Sequence, residues 1–387
     1  MTNTLRKHWD LDPNVTHLNH GSFGAAPRAV LDYQFAMQRR LEENPMRFFS
    51  RDLPGLLDEA RLALAAFIGA EPEQLAFVPN ASAGINAVLR SLEFGPGDEL
   101  LVTSHGYGAA ASAAAYVAER SGATLVTADV PATPHSSHEV RDTILTAVTQ
   151  RTRLALIDHV TSSTALVFPL AAIVGDLAGR GIPTLVDGAH APGMMDLDLR
   201  AIGAAYYTGN CHKWMCAPKG AGLLYVEDPE AATALVPVVV GWGRTSRPIG
   251  RSQFHADFDW VGTADPSAYL SVPKAIEVMG GLLPGGWAEL RTHNQELVLA
   301  ARRILCERLE VSAPVPAAMV GSMAIVPLPD AAVPPAPLEP DPLQTRLAER
   351  GFEVPITYGP APTRRWLRIS AQAYNAVDDY ERLADAL

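Results

Sequence analysis

Between residues 74 and 226 the chain alternates two textures. Short apolar runs recur: QLAFV (74–78), DELLV (98–102), ATLVT (123–127), RLALI (153–157), IPTLV (182–186), AAYYT (204–208) and GLLYV (222–226). Ala-rich stretches with helical spacing separate most of them, at roughly 82–92, 108–120, 138–149 and 169–179. Apolar runs this short, bounded by turn residues, fit buried strands. Strands alternating with helices predict a mainly parallel sheet covered on both faces. The last two strands are joined by a short Gly-rich segment, which allows one of them to run antiparallel.

Outside this block the rhythm differs. Residues 27–44 predict a helix, with Pro27 in its first turn and Val30, Tyr33, Met37 and Leu41 at helical spacing. The stretch 236–268 is rich in Gly, Pro, Arg and aromatics, and reads as irregular structure too aromatic for a solvated linker. A helix near 285–309, a strand near 320–327, a Pro-rich loop (327–342), a helix (343–350), a strand at WLRIS (366–370) and a helix near 377–386 complete the chain. The expected organisation is a large α/β domain over 20–265 and a smaller α+β domain built from 266–387 with an N-terminal arm, 1–19. No internal repeat is visible.

Composition narrows the function. Of 387 residues, 48% are apolar and 19% charged, which predicts a large core and no wholesale disorder. The net charge of −11 argues against a nucleic-acid or anionic-membrane partner. Three cysteines, Cys211, Cys216 and Cys306, offer neither a disulfide framework nor a CxxC pair, which fits a reducing cytoplasm. The start of the sequence has no apolar core of a signal peptide, and no apolar run reaches 18 residues, so a cytoplasmic protein is expected.

The chemistry gathers at predicted strand ends, where open α/β sheets bind ligands. In FVPNASAGINAVL (77–89), Ala81, Ser82 and Gly84 would present amide N–H groups and a hydroxyl at a helix N-terminus, an anion site. An ordinary turn with Ser82 as N-cap is the plainer alternative. TLVDGAHAPG (184–193) ends a buried strand with Asp187, either a helix cap or a carboxylate facing a cation. ALIDHVTSSTALVFPL (155–170) masses Asp158, His159, Thr161 and Ser162 at another tip. Lys213, in NCHKW, follows two strands later; it is either a surface charge or a nucleophilic amine. Phosphate cradle, buried carboxylate and Lys, in that order, are the parts of a pyridoxal phosphate site.

With LNHGSFGAAPRAV, VDGAHAPG, HKW and LRIS followed by AQAYN, nearly the whole chain resembles the class V aminotransferase-fold enzymes, which depend on pyridoxal 5′-phosphate. It looks most like the isopenicillin N epimerase-like branch, which also contains C–S lyases. The resemblance implies fold type I, the aspartate aminotransferase-like α/β fold. It also implies that Lys213 is the Schiff-base lysine and Asp187 the partner of the pyridine nitrogen. His190 and Ser162 then lie near the ring hydroxyl edge. Ala81, Ser82, Asn210 and His212 match phosphate-binding positions. Tyr107 in SHGYGA, with His105 as alternative, matches the residue stacked on the ring. Thr263 in VGTAD resembles a residue that reaches the other active site of a homodimer with shared sites. Arg368 matches the arginine that holds an amino-acid substrate's carboxylate, and Asn19, Gly21, Ser22 and Phe23 line the substrate side. The sequence departs from the family at Asn210 and Cys211, where Ser or Gly is frequent. The reactive cysteine of the persulfide-forming desulfurases is missing from VPITYGPAPTRRWLRIS.

His135 and His138 stand without the carboxylates or cysteines of a metal site, so no metal is expected. Arg244, Arg247 and Arg251 suit an acidic substrate arm or, equally, packing at an interface. Four reactions share the inferred site, and differ in the bond broken at the substrate α-carbon. They are C–S β-elimination from an S-substituted cysteine of thiol or secondary metabolism, the reading favoured here, then epimerisation, transamination, and decarboxylation with oxidative deamination. A cofactor-binding regulator without catalysis is disfavoured by the joint presence of Lys213, Asp187 and Arg368.

Overall fold

The computed structural model describes residues 4–333 and 339–387; the start of the N-terminal arm and the middle of the Pro-rich loop lie outside the described residues. The strands are β1 (Thr16–His17), β2 (Leu75–Val78), β3 (Glu99–Thr103), β4 (Thr124–Ala128), β5 (Thr152–Asp158), β6 (Thr184–Gly188), β7 (Tyr206–Asn210), β8 (Gly222–Val226), β9 (Met323–Pro327), β10 (Phe352–Glu353), β11 (Ile356–Tyr358) and β12 (Arg365–Ser370). Seven of them form one sheet in the order β2-β8-β7-β6-β5-β3-β4. β3 to β7 run parallel, while β8 is antiparallel to both β7 and β2. The short Gly-rich segment 211–221 therefore turns the chain back, and the antiparallel strand is the second of the pair. Most residues of the sheet are buried, as the uninterrupted apolar runs require, because helices cover both faces.

The Ala-rich helices form as expected, at Ala81–Ser91, Gly108–Ser121, Ser137–Thr146 and Leu170–Ala178. One long helix, Leu53–Ile68, departs from the expected pattern. Its Pro54–Gly55 pair reads as a breaker, but it occupies the first turn, where proline costs no hydrogen bond. Leu57, Leu64, Ala65 and Ile68 then face the core.

A second, antiparallel sheet has the order β11-β12-β9, and carries Arg368 on its central strand. β1 pairs in parallel with β10, so the N-terminal arm is tied to the far end of the chain. The region 236–268 is irregular apart from a short helix at Gln253–Asp259. Its arginines are occupied: Arg244 pairs with Asp257 at 3.1 Å, and Arg251 with Asp58 at 2.7 Å and Asp259 at 3.3 Å. Internal pairing, which is neither of the two readings offered for these arginines, engages Arg244 and Arg251. Among the described residues no helix is long and apolar enough to cross a membrane.

Candidate active site

The parallel register of β5, β6 and β7 sets Asp158 opposite Asp187, and Asp187 opposite Thr208. Two carboxylates thus stand side by side at adjacent strand tips, each only 4% exposed. Buried neighbours of like charge cannot both ionise readily. Burial, then Asp187, pushes the Asp158 carboxyl well above the usual range. Asp187 is raised too, by burial, but the Ala189 N–H and the Lys213 charge oppose the shift. The neighbours of Asp187 thus favour its ionised form over that of Asp158. The Ala189 N–H donates to Asp187 Oδ1 at 3.0 Å. Gly188 follows because a β-carbon there would strike the Tyr207 ring.

Lys213 lies three residues beyond β7, and two glycines wedge its segment in place. A side chain at Gly24 would collide with the His212 carbonyl, and one at Gly193 with the Trp214 backbone; both take positive φ. Lys213 Nζ lies 3.2 Å from His190 Nε2. At the other end of the residue, the Lys213 carbonyl accepts from His20 Nε2 at 3.0 Å. Burial brings the Lys213 amine down to about 8, with Asp187 opposing and Arg368 assisting. A sizeable fraction of neutral amine is therefore present near neutral pH, as a nucleophile requires.

At the tip of β2, Asn80 caps the helix Ala81–Ser91, its side chain accepting from the Ala83 N–H at 2.9 Å. The expectation of free N–H groups is corrected at two positions. The Ala81 N–H donates to Asn210 Oδ1 at 2.8 Å, and the Gly84 N–H to the Asn80 carbonyl at 3.3 Å. Ser82 retains its N–H and hydroxyl for a ligand. Because Asn210 Oδ1 is occupied, its Nδ2, the donor end, is the free end of the amide. His212 donates from Nδ1 to the Ala221 carbonyl at 2.8 Å, and burial brings it down to about 4, so the ring is neutral with Nε2 unprotonated.

Arg368 is 4% exposed and meets only uncharged oxygens. Nη1 donates to the Ser162 carbonyl at 2.6 Å, and Nη2 to Ser22 Oγ at 2.7 Å and Asn19 Oδ1 at 3.1 Å. Nε has no partner among the described residues. Burial lowers this guanidinium to about 10. A buried cation without a carboxylate is costly unless a ligand completes it.

One cavity of about 330 Å³, within the usual range for cofactor sites, collects Ser22, Phe23, Ala81, Ser82, Tyr107, Ser162, Asp187, His190, Asn210, His212 and Lys213. Arg368 and Asn19 lie behind its wall, joined to it through Ser22. Gly21 is buried and bonds Ser370 Oγ at 3.1 Å; a β-carbon there would meet Met323. Thr263 is exposed and lies outside this cavity. Of the two ring-stacking candidates, Tyr107 lines the cavity, whereas His105 is turned away, bonding Thr164 Oγ1 at 2.7 Å and the Val130 carbonyl. Sequence reasoning places Asp158 at a strand tip but assigns it no role in the site, although its position resembles that of Asp187. It also misses His20 and Trp214, whose signal is weak because each acts through a neighbour. No cluster of three or more His, Cys, Asp or Glu able to hold a metal occurs among the described residues.

Comparison with known proteins fits this arrangement. The class V aminotransferase family profile matches residues 27–328. The isopenicillin N epimerase of Streptomyces clavuligerus is 35% identical, over 97% of this chain and 95% of its own. A probable chloroplastic L-cysteine desulfhydrase of Arabidopsis thaliana is 31% identical, over 97% of this chain and 83% of its own. Among solved structures, a lysine-to-alanine mutant of C-DES with glycine covalently linked to its PLP cofactor superposes with a TM-score of 0.82 at 23% identity, covering 96% of each chain. C-DES, described as a cystine C–S lyase, has also been solved with its product cysteine persulfide, and superposes with a TM-score of 0.78. The chain belongs to the class V aminotransferases, a fold type I family whose cofactor is pyridoxal 5′-phosphate.

Proposed function

We propose that this class V enzyme is a β-lyase that cleaves the carbon–sulfur bond of an S-substituted cysteine. The observation that carries the reading is the scarcity of bases in the cavity. Asp158 and Asp187 are committed to its floor, His190 faces Lys213, and His212 bonds Ala221. With His212 set among the phosphate-side residues, Lys213 is left, among the described residues, as the proton acceptor suited to the α-carbon, and β-elimination needs only one. The relatives' names span both epimerase and cysteine desulfhydrase, so they do not decide between the two reactions.

The residues suit the cofactor. Asp187 is the carboxylate for a protonated ring nitrogen. Ser82 and Asn210 Nδ2 would donate to its phosphate, with Ala81 holding Asn210 in place; His212 lies beside them, and its Nε2 would have to take up a proton to donate as well. His190 and Ser162 attend the hydroxyl edge, and Tyr107 covers the ring. Bound there, pyridoxal 5′-phosphate supplies an electron sink that acidifies the substrate's α-carbon. Lys213 takes the α-proton, the Cβ–S bond breaks, and sulfur leaves with the electron pair. Arg368 holds the α-carboxylate, a planar bidentate task suited to guanidinium. Asn19, Gly21, Ser22 and Phe23 shape that side. Borohydride should fix the cofactor to the peptide containing Lys213, and Lys213→Ala should abolish the label.

A second reading, epimerisation, rests on Tyr107. Its phenol is a further proton donor lining the cavity, and it is half exposed. Incubation with S-substituted cysteines separates the two. A lyase yields pyruvate, ammonia and thiol; racemised substrate in deuterated water with its C–S bond intact would promote the epimerase. The homodimer is likewise a proposal. Val238, Val239, Val240, Trp242 and Ile249 form an exposed apolar stretch near the exposed Thr263 loop, a surface that suits a second copy. A fully active monomer in sedimentation would refute it.

A further inference from the structure

Lys213 is gripped at both ends by histidines, and Trp214 touches both. Its indole N–H lies 3.4 Å from His190 Nδ1, and its ring packs 4.9 Å from the His20 ring. His20 in turn bonds the Lys213 carbonyl, and its Nδ1 lies 2.9 Å from the Tyr374 hydroxyl. All three rings are buried.

The donor and acceptor roles around His190 follow from chemistry. An indole nitrogen can only donate, so His190 Nδ1 must accept. The ring is neutral, because burial, with help from Lys213 and Arg368, holds it well below the usual histidine range. A neutral imidazole carries one proton, which must then sit on Nε2. Nε2 faces Lys213 Nζ at 3.2 Å. An Nε2–H donor opposite Nζ needs a lone pair there, and an ammonium group has none. We propose that Trp214 is a positioning residue: its indole N–H locks His190 as the Nε2–H tautomer, and that tautomer biases the Lys213 amine toward the unprotonated form that attacks an aldehyde.

The other groups facing Lys213 do not do this alone. Asp187 from β6 favours the ammonium, while Arg368 from β12 and burial disfavour it. Asp158 from β5 lies beyond Asp187, and neighbouring His212 is neutral. Without the indole donor, His190 is free to protonate Nδ1 instead. Nε2 then accepts from an ammonium and reverses the bias.

The inference rests on Lys213 being the cofactor lysine, and borohydride labelling of another peptide would remove that premise separately. Two measurements test the tautomer itself. In the full-length protein with isotope-labelled histidine, assigned by comparison with His190→Gln, NMR should show His190 with a pyridine-type Nδ1 and a protonated Nε2. A protonated Nδ1 would overturn the proposal without any Trp variant. In cofactor-free protein, the rate of pyridoxal 5′-phosphate capture should then be followed against pH in Trp214→Phe, which keeps a ring but loses the donor. Capture should slow roughly tenfold at pH 7 and converge with wild type in alkali, the signature of a lysine titration raised by about one unit. An unchanged pH profile, or a loss equal at every pH, would mean that Trp214 only packs.

Discussion

Two buried arginine sites in this molecule show opposite solutions to the same problem. Arg61 lies under the 251–259 segment, with Asp58 at 2.6 Å and Asp259 in contact, and Arg251 shares the same two carboxylates. Two guanidinium groups meet two carboxylates, and the charge closes locally. Arg368 is as deeply buried but meets only a carbonyl, a hydroxyl and an amide oxygen. No salt-bridge partner meets it among the described residues, and its charge helps to lower the Lys213 amine. Both arginines leave Nε bare, so hydrogen-bond count does not distinguish them. Charge balance does. The balanced site closes its charge within the fold, and the unbalanced one has the charge that the proposed binding of a substrate carboxylate would complete.

That contrast can be broken at either end. The largest effect is expected from Asp259→Ala, which leaves Arg61 and Arg251 competing for Asp58. Unfolding in urea should show a loss of roughly 3 kcal/mol, the range for breaking a buried pair, with substrate capture unaffected while the protein remains folded. Arg368→Lys should do the reverse. It keeps the charge but loses the planar fork, and should cost roughly 2–3 kcal/mol in kcat/KM with little change in urea midpoint.

A third prediction concerns the other uncompensated cation. Lys213 binds its proton more weakly in the folded chain, near 8, than its ordinary value of 10.5. The unfolded state therefore holds more protons across that window, and stability from this group rises with pH from about 8 to 10.5. Below the window the buried ammonium is a liability. Lys213→Met should stabilise the cofactor-free protein by roughly 2 kcal/mol at neutral pH, with the gain fading in alkali. The smallest effect is the coupling itself. Arg368→Gln should raise the Lys213 titration by less than about one unit, measured as the pH midpoint of lysine modification.

Much of this architecture is legible in the amino-acid sequence. The seven apolar runs are the seven sheet strands; six are buried nearly throughout, as a strand covered on both faces has to be, while the edge strand β4 is partly exposed. Lys213, Asp187 and Arg368 stand out as polar residues in or beside such strands. The balanced arginines are not legible, since partners such as Arg61 and Asp259 lie 198 residues apart and carry no local signal. The occupied Ala81 N–H is hidden for the same reason, because Asn210 reaches it across the sheet. His20 and Trp214 look like loop and core residues until the backbone carbonyl and the imidazole they touch are in place.

The His20–Tyr374 contact has a consequence for how the protein is made. The two residues are 354 positions apart, and the β1–β10 pairing and the Ser22–Arg368 bond span similar distances. Chains are synthesised from the N-terminus, and long-range contacts wait for their partners. The His20 segment, which anchors the Lys213 carbonyl, thus leaves the ribosome well before its partner Tyr374 and is among the last to find its place. A nascent chain can complete the sheet and its strand-tip carboxylates well before this. Completion of the Lys213 surroundings has to wait until Tyr374 and Arg368 are available, so it is expected late in folding, after the strands of the large sheet have paired.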